Sequence, residues 1–330
     1  MRGLGGVQAQ VQASAELQLA ARVEGLAQAD VREALWERRT LAKAWTIRGT
    51  LHLHAADELA LWFAARRAVE EGDGSLAEWR DPEGAVHPPL TAQEAAEVRG
   101  LVWETLDGRS LRRDELVEEV VRRVGPKPRA RLASGFAFFL VDLCQGPPQG
   151  ARVTFVRPDQ WLAGWREVEP EDALREVCRR FLHGYGPARP TAFREWFGVR
   201  DARALFEEVG EEVGDGIFVE RGDRSFGALE RSVRLLPEYD AYVMGFRERD
   251  VLVPEKVRAL VAAHGRGRFE GPAGVRFVLV DGVAAGLWER ARHGRRIEVR
   301  VTLARRIRRG ALVDEAERIG AFLGLEPTVA

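Results

Sequence analysis

The sequence predicts an α+β fold with three tandem winged-helix units followed by a C-terminal β-rich region. The first observation behind this prediction is a repeat. Helical periodicity, a glycine turn, a capped helix and short strands recur along residues 1–232. The second is a change after residue 232, where alternating strand patterns joined by tight turns become dominant. The predicted segments are 1–85, 86–165, 166–232 and 233–330.

Length and composition indicate a globular protein with more than one core. A chain of 330 residues exceeds the usual size of one hydrophobic core, and 45% apolar with 31% charged residues is typical of soluble proteins. No apolar run approaches the roughly 20 residues of a membrane-spanning helix, and no secretory signal precedes the first motif, so a cytoplasmic protein is predicted. Cys144 and Cys178 stand far apart, and no Cys/His spacing suits zinc. We therefore expect reduced thiols, no metal and no cofactor.

The first segment, residues 1–85, opens on glycines that are too flexible to continue a helix. Helical periodicity and a cap at Asp30 predict helices over 12–24, 31–38 and 55–67, and alternation predicts a strand over 41–54. A connection rich in glycine, proline and charge follows at 72–89 and predicts the boundary with the next segment. Helices followed by a strand is the order expected of a winged helix.

The second and third segments repeat this order. In residues 86–165 the pattern predicts helices over 92–106, 111–124 (capped by Ser110) and 131–143, then a turn over 145–150 between two strands, the second over 152–156. In residues 166–232 it predicts helices over 172–183, 192–197 (capped by Thr191) and 201–209, then strands over 217–220 and 225–228. The repeat supports tandem winged helices better than any single segment does.

The tail, residues 233–330, carries the clearest strand pattern. Residues 277–280 and 283–288 flank Asp281-Gly282, a dipeptide suited to a type I′ hairpin turn. A second turn at His293-Gly294 leads into 296–303, whose apolar residues alternate with polar ones. A helix over 312–323 is predicted to close the chain.

Residues 45–54 read Trp-Thr-Ile-Arg-Gly-Thr-Leu-His-Leu-His, and apolar and polar side chains alternate along them. On a single strand, Arg48, Thr50 and His52 share one face with Thr46 and His54. Arginine, threonine and histidine side chains are better suited to binding a phosphate or another ligand than to forming an ordinary solvated strand face. The alternatives are a solvated edge strand and, for His52, a packed, hydrogen-bonded residue.

Signatures of common enzyme classes are missing from the sequence, including Gly-x-Ser-x-Gly, a Walker A loop, a dinucleotide-binding glycine pattern and a zinc-deaminase motif. What remains is Gln8-Ala9-Gln10. Two glutamines at i and i+2 point the same way from an extended segment, so both can contact one small molecule such as water. A carboxamide does not ionise, but it can orient water. The alternative is that these glutamines cap a helix or face solvent.

Three groups of motifs resemble the AlkZ/YcaQ-type winged-helix DNA glycosylases. They are Leu4-Gly-Gly-Val-Gln-Ala-Gln10 with Ala21-Arg22-Val23, the run over 45–52 with Asp57, and Leu235-Leu-Pro-Glu-Tyr-Asp240 with residues 280–288. The resemblance covers nearly the whole chain. It implies three tandem winged helices that form a cleft for duplex DNA. The family's Gln–hydrophobic–Gln motif falls on Gln8 and Gln10.

The resemblance implies a monofunctional, monomeric enzyme that hydrolyses the N-glycosidic bond of N7-alkylated purines or crosslinked guanine in double-stranded DNA. Gln8 and Gln10 would position the water, without a metal or a lysine Schiff base. The polar run Arg48, Thr50 and His52 would line or support the cleft. A basic hairpin tip would enter a groove or clamp phosphate; its residues are His293, Arg295 and Arg296.

Two functions of other classes stay open at this point. A non-catalytic winged-helix DNA-binding protein, such as a regulator or a resistance protein that sequesters its ligand, does not need both Gln8 and Gln10. A small-ligand-binding protein would show no salt-dependent affinity for DNA.

Overall fold

The computed structural model describes residues 2–69, 77–81, 83–134, 141–224, 231–245, 249–263 and 274–330. The chain forms two compact units, and each draws on separated parts of the sequence. The first unit contains Met1–Arg32, Cys178–Trp196 and Asp201–Ala330; the second contains Glu33–Val177 and Phe197–Arg200. The predicted division into four consecutive segments, and their identity as winged helices, stays a prediction.

Helices and strands alternate along the described residues, so the predicted α+β class is confirmed. The helices are α1 (Gln12–Ala20), α2 (Gln28–Trp36), α3 (Leu59–Val69), α4 (Ala92–Thr105), α5 (Arg113–Val124), α6 (Arg129–Ser134), α7 (Pro158–Trp161), α8 (Pro170–Tyr185), α9 (Pro190–Phe197), α10 (Arg203–Val209), α11 (Ala241–Gly245), α12 (Arg249–Leu252), α13 (Glu255–Ala263) and α14 (Arg309–Leu323). Within the described part of the chain, no helix is long and apolar enough to span a membrane.

The strands are mostly short. They are β1 (Val7–Gln8), β2 (Leu41–Trp45), β3 (Leu51–Ala55), β4 (Trp79–Arg80), β5 (Val86–His87), β6 (Leu111–Arg112), β7 (Cys144–Gln149), β8 (Arg152–Val156), β9 (Gly210–Gly214), β10 (Ile217–Glu220), β11 (Val233–Leu236), β12 (Phe277–Val280), β13 (Val283–His293), β14 (Arg296–Leu303) and β15 (Glu326–Val329).

One predicted helix start is confirmed by its cap. Thr91 forms a capping box with Glu94 at the start of α4: the Thr91 hydroxyl accepts from the Glu94 N–H at 3.1 Å, and the Glu94 carboxylate accepts from the Thr91 N–H at 2.8 Å. The predicted helix over 92–106 therefore begins where expected.

The three caps predicted from the sequence are wrong by two or three residues. Asp30 lies inside the first turn of α2, where its carboxylate accepts from the Ala27 N–H at 2.8 Å. Ser110 does not cap α5, because β6 pairs with β8 first and the helix begins at Arg113. Thr191 lies within α9, which begins at Pro190. Each prediction used a good capping residue, but strand pairing, or a helix begun two or three residues upstream, took precedence.

The second unit contains an antiparallel sheet in the strand order β3-β2-β7-β8-β6. The apolar stripe of α5 and strand residues form one core: Trp45 stacks on Phe155 with ring centroids 5.7 Å apart, and Leu116 and Val120 are fully buried beside them. The predicted hairpin and its second strand, 152–156, are confirmed, but the turn predicted over 145–150 is wrong: residues 145–149 belong to β7, and the turn lies at residues 150–151. Of the predicted helix 131–143, α6 ends at Ser134, residues 135–140 lie outside the described residues, and 141–143 are not helical.

The predicted single strand over 41–54 is wrong. β2 and β3 form an antiparallel hairpin in which Trp45 pairs with Leu51, and a short 3-10 turn, Ile47–Gly49, connects them. Arg48 (φ 48°) and Gly49 (φ 64°) both adopt left-handed conformations that reverse the chain. Residues on both sides of a tight turn alternate just as they do along one strand, so the pattern did not distinguish the two.

The first unit contains a five-stranded sheet in the order β11-β12-β13-β14-β15, antiparallel except for the β14–β15 pair. Both predicted hairpins of the tail are confirmed, and Asp281 (φ 53°) and Gly282 (φ 79°) adopt the two left-handed conformations of a type I′ turn. The side chain of Glu315 on α14 accepts from the Leu235 N–H at 2.9 Å, which joins this helix to the edge strand β11.

Residues of α8, α9 and α10 with the β9–β10 hairpin form an aromatic cluster in the first unit. Its members contact one another with ring centroids 5.1–6.3 Å apart: Phe181, Tyr185, Phe193, Trp196, Phe206 and Phe218. The strand predicted over 217–220 is confirmed and pairs with β9. The strand predicted over 225–228 lies outside the described residues.

Candidate active site

The segment Gln8-Ala9-Gln10 lies between two glycines and the first helix. Gly5 (φ 68°) and Gly6 (φ 103°) turn the chain into β1 with conformations that favour glycine. Val7 and Ala9 are fully buried, whereas Gln8 is half-buried and Gln10 is exposed. This alternation is that of an extended segment, so both glutamines turn away from the side that Val7 and Ala9 bury.

The side-chain oxygen of Gln8 is the most informative atom of this segment. Gln8 Oε1 is buried, yet it accepts no hydrogen bond from any residue that the structure describes. An unpaired buried acceptor costs about 1–3 kcal/mol. Most buried polar atoms are paired, and exceptions occur at catalytic positions and where a water binds. An acceptor in this state can take a hydrogen bond from a water or a substrate at no expense to another protein contact.

The backbone of Gln8 is held by a second glutamine, Gln18, on the buried side of α1. The fully buried carboxamide of Gln18 donates from Nε2 to the Gln8 carbonyl oxygen at 3.2 Å. Its Oε1 accepts from the backbone N–H of Ala241 at 2.9 Å. The same side chain therefore connects β1 to the start of α11.

Arg22 and Asp240 form a bidentate ion pair next to this contact. The two guanidinium N–H groups donate to the Asp240 carboxylate at 2.8 and 2.7 Å, and Arg22 also donates to the Gln18 carbonyl oxygen at 3.0 Å. Burial alone would lower the pKa of Arg22, but the Asp240 carboxylate outweighs it by charge and hydrogen bonding, and the pKa rises. Burial and the Asp240 charge likewise raise the pKa of Tyr185, whose hydroxyl donates to the Leu4 carbonyl oxygen at 2.8 Å.

Glu16 and Glu238 are two further buried carboxylates of this unit, and both accept hydrogen bonds. Glu16, only 2% exposed, accepts from the carboxamide of Gln28 at 2.6 Å. Glu238 accepts from Arg276 at 2.5 and 3.1 Å. Burial would raise the pKa of Glu238, but hydrogen bonds from Arg276 outweigh it and lower the pKa. Glu238 is therefore ionised and paired, and it is poorly suited to act as a general acid.

Sequence reasoning did not assign roles to Gln18, Arg22 or Asp240. Arg22 and Asp240 belong to the motifs that carried the family resemblance, so the sequence marked both positions but did not indicate what they do. Gln18 carried none, because its partners lie 10 and 223 positions away along the chain.

Arg48, Thr50 and His52 lie in the second unit at the β2–β3 hairpin. Arg48 is exposed at the turn, and the Thr50 hydroxyl donates to the Ile47 carbonyl oxygen at 3.0 Å. His52 is 6% exposed, and its Nδ1 lies 2.9 Å from the Thr50 carbonyl oxygen. A carbonyl oxygen only accepts, so Nδ1 carries the proton. Arg48, Thr50 and His52 are therefore close in sequence, but they do not share one exposed polar face as they would on a single strand.

The polar side chains of β3 are buried rather than solvated. The His54 ring is 1% exposed, its Nε2 lies 2.8 Å from the Thr46 hydroxyl, and its centroid is 4.7 Å from that of Trp62. Burial lowers the pKa of His52 to about 4, against the opposing hydrogen bond to Thr50. Both histidines therefore belong to a packed, hydrogen-bonded interior, which is one of the alternatives that the sequence left open.

The structure brings His293, Arg295 and Arg296 together at the tip of the β13–β14 hairpin. His293 pairs with Arg296 across the turn, and all three residues are exposed. Carboxylates lie nearby: Glu298 is 3.6 Å from the His293 ring, and Glu326 is 3.4 Å from Arg296. Exposed ion pairs of this kind contribute little, so these side chains can exchange a carboxylate for a phosphate.

One cluster of the described residues has ligand atoms close enough for a metal. His183, Glu220 and Asp223 bring theirs within 4.8 Å of one another. However, the Glu220 carboxylate accepts from His183 at 2.7 Å and pairs with Arg179 as well. A carboxylate already neutralised by an arginine is a weak cation ligand. Both cysteines are buried, and burial raises the pKa of the Cys178 thiol to about 12, so it stays protonated.

The sequence profile of the family described as DNA glycosylase AlkZ-like matches residues 1–322. This chain belongs to the AlkZ-like DNA glycosylase family. As an AlkZ-like DNA glycosylase it is an enzyme, a hydrolase whose substrate is DNA, which confirms the resemblance.

This AlkZ-like glycosylase is similar to known relatives in sequence and in structure over most of its length. It is 31% identical over 313 residues to an interstrand DNA cross-link repair glycosylase from Streptomyces sahachiroi, covering 86% of this chain and 79% of the relative. The solved structure of the Streptomyces sahachiroi DNA glycosylase AlkZ matches with a TM-score of 0.79 and 28% identity, covering 99% of this chain and 92% of that one. These matches support a glycosylase over the non-catalytic DNA-binding protein that the sequence left open.

Proposed function

We propose that this AlkZ-like glycosylase excises N7-alkylated purines from duplex DNA and releases guanines joined in interstrand crosslinks, with Gln8 and Gln10 positioning the attacking water. Support for the crosslink comes from the Streptomyces sahachiroi relative, which is named as an interstrand DNA cross-link repair glycosylase. Support for the two glutamines comes from one observation above all, the buried and unpaired Gln8 Oε1.

The chemistry suits a site built from carboxamides. Alkylation at N7 gives the purine a positive charge, so the bond between C1′ and N9 breaks with its electron pair moving to the base, which becomes neutral. The oxygen of water forms the new bond to C1′, and one proton is released. Because the leaving group needs no protonation, a strong general acid is not required. Charge develops on the sugar, and oriented carboxamide dipoles stabilise it.

Gln8 and Gln10 take different parts in this scheme. The Gln8 oxygen accepts a hydrogen bond from the water and orients its lone pair toward C1′, which gains rate by fixing the geometry of attack. Exposed Gln10 lies two residues further on the same side of the segment, where it contacts the water or the sugar. Neither residue has to change its protonation state.

The basic residues among the remaining predicted ones contact the DNA rather than the reacting atoms. His293, Arg295 and Arg296 provide positive charge at an exposed hairpin tip, and Arg48 provides it at an exposed turn. Contacts of this kind to phosphate are independent of base sequence. Thr50 and His52 support the turn that carries Arg48. We further propose that the enzyme acts as a monomer.

The test is a single-turnover assay on duplex DNA that carries one N7-methylguanine, with a second duplex that carries one N7–N7 guanine crosslink. The parent enzyme is compared with Gln8→Ala, Gln10→Ala and the double variant. Loss of one carboxamide that acts at the transition state lowers the rate by about 100–1,000-fold. Affinity for undamaged DNA stays unchanged.

Gln28→Ala serves as the matched control, because Gln28 lies in the same unit and its carboxamide donates to Glu16, not to the Gln8–Gln10 segment. Release of the base by the parent and by Gln28→Ala, but not by the double variant, supports the proposal. Equal release by the double variant removes Gln8 and Gln10 from the mechanism. Release from the crosslink alone narrows the substrate to bulky adducts.

A further inference from the structure

We infer that Gln18 is a positioning residue of this glycosylase: its buried carboxamide holds the strand that carries Gln8 in the orientation that base release requires. The inference rests on the proposed roles of Gln8 and Gln10 and adds a residue outside their motif. Gln18 makes no contact with the reacting atoms and acts through the Gln8 backbone.

Both ends of the Gln18 side chain are used. Nε2 donates to the Gln8 carbonyl oxygen at 3.2 Å, and Oε1 accepts from the Ala241 N–H at 2.9 Å. The side chain is fully buried, so water does not replace either bond. A backbone group left unpaired in such surroundings is destabilising, and therefore an apolar residue of the same size is a poor substitute.

The position of Gln18 is itself fixed by the ion pair beside it. The Gln18 carbonyl oxygen accepts from Arg22 at 3.0 Å, and Arg22 is held by both carboxylate oxygens of Asp240 at 2.8 and 2.7 Å. Asp240 immediately precedes Ala241, which donates to the Gln18 side chain. These contacts form a closed ring, Gln18–Arg22–Asp240–Ala241–Gln18. The bidentate pair within it fixes the relative orientation of Arg22 and Asp240.

The ring controls the unpaired acceptor of the site. The Gln8 carbonyl that Gln18 holds belongs to the same residue as the unpaired Oε1. A rotation of the peptide group after Gln8 moves this side chain, and misplacement of a reacting group by about 1 Å can reduce a rate about 100-fold. Loss of the Gln18 donor therefore affects the rate of the chemical step more than the affinity for DNA.

A single substitution separates the two ends of the side chain. Gln18→Glu keeps an oxygen to accept from Ala241 but, when ionised, has no proton to donate to the Gln8 carbonyl. A protonated carboxyl group restores a donor. At about pH 8 we expect the single-turnover rate on the N7-methylguanine duplex to fall about 10–100-fold, with the Kd for DNA within about 3-fold of the parent.

The pH profile is the readout that a merely structural role would not move. As pH falls and the introduced carboxyl of the Gln18→Glu protein binds its proton, the rate of this variant relative to the parent rises again; Gln18→Leu stays slow at every pH. Gln145→Glu is the matched control, because it places a carboxyl at a residue only 7% exposed that belongs to the second unit, whereas all residues of the ring belong to the first. Its rate relative to the parent should not rise as pH falls.

The outcomes separate this inference from the proposed function. If Gln8→Ala slows base release while Gln18→Glu does not, the inference is wrong and the function stands. If Gln18→Glu is slow without recovery at low pH, or Gln145→Glu recovers equally, the effect is general destabilisation and the positioning role is overturned. If Gln8→Ala keeps the parent rate, or the parent releases no base, the proposed function fails and the inference falls with it.

Discussion

His52 shows how burial decides the chemistry of one residue. The Thr50 carbonyl oxygen fixes the proton on Nδ1 and leaves Nε2 as an acceptor, and burial holds the ring neutral near pH 7 with a pKa of about 4. A neutral histidine does not attract phosphate by charge. Any contact of His52 with DNA is therefore a hydrogen bond, while positive charge at the turn of this hairpin comes from Arg48.

The depressed pKa of His52 predicts acid sensitivity. The group has an ordinary value near 6.5 and a folded value of about 4, so its contribution to stability is present above pH 6.5 and is lost as pH falls toward 4. Between about pH 7 and pH 4.5 the parent should lose about 2–3 kcal/mol of its free energy of unfolding through this residue alone. His52→Gln should lose correspondingly less.

Urea denaturation at both pH values measures this difference. Parallel slopes of free energy against urea for the parent and His52→Gln are needed for the comparison, because a changed slope signals a changed folded or unfolded state. An equal loss in the two proteins would show that His52 does not remain neutral inside the fold.

At the level of single residues, the sequence was informative where local spacing sets geometry. The spacing of i and i+2 predicted that Gln8 and Gln10 lie on the same side of an extended segment. Burial of Val7, which precedes them, and of Ala9, which lies between them, agrees with this. The pairing of Gln18 with Ala241 was not predictable, because a glutamine on a helix carries no mark of a partner 223 positions away.

Among the elements, α1 depends on a contact with the loop before α11. Arg22, just after α1, holds Asp240 through two hydrogen bonds, and the Asp240 side chain is fully buried. Arginine provides a planar pair of donors that lysine lacks. The ion pair therefore fixes direction as well as distance.

Arg22→Lys tests this dependence. The charge is retained, but the single ammonium nitrogen of lysine cannot reproduce the contact that two guanidinium nitrogens make with both oxygens of Asp240. We therefore expect a loss of about 1–3 kcal/mol in the free energy of unfolding. Arg38→Lys, on an exposed side chain beyond α2, is the control and should change stability by less than about 0.5 kcal/mol. Equal small effects would mean that the pair contributes no more than a surface contact.

The elements also show where pattern reading fails. Alternation over 41–54 is compatible with one long strand and with two short ones, and only the conformations of Arg48 and Gly49 decide. The hairpins of the tail were predicted well because the dipeptide Asp281-Gly282 strongly favours a type I′ turn and the strands around it are regular. The dipeptide Arg48-Gly49 is a weaker signal for a turn than Asp-Gly is.

At the scale of the whole molecule, charge is nearly balanced, with a net charge of −1. DNA binding therefore depends on where arginines lie rather than on the sum. We expect the DNA affinity to fall as salt rises, with a log–log slope of about −0.9 for each phosphate contacted. Arg295→Ala/Arg296→Ala should weaken binding to damaged and undamaged duplexes alike and reduce the slope by about 1–2.

Fluorescence anisotropy across a salt series measures both quantities. Arg224→Ala is a suitable comparison, because this exposed arginine is paired with Glu211 at 3.0 Å and lies away from the predicted DNA contacts in sequence. An unchanged slope in the Arg295→Ala/Arg296→Ala protein would exclude the hairpin tip as a phosphate contact.

The division into two units could not be predicted from composition. The sequence suggested consecutive segments, whereas the first unit joins residues 1–32 to residues beyond 177. Linkers rich in glycine and proline mark where a chain turns, but they do not say which distant segments meet again.

The interleaved first unit has a consequence for biosynthesis. A ribosome makes the candidate catalytic segment first, yet the residues that hold it, Asp240 and Ala241, emerge after the last residue of the second unit, Arg200. At roughly 5–20 residues per second, about 10–50 seconds separate the synthesis of Gln10 from that of Asp240. The second unit can thus fold while Gln8 and Gln10 are still unsupported, and a nascent chain that stops short of Asp240 carries the glutamines without the ring that orients them.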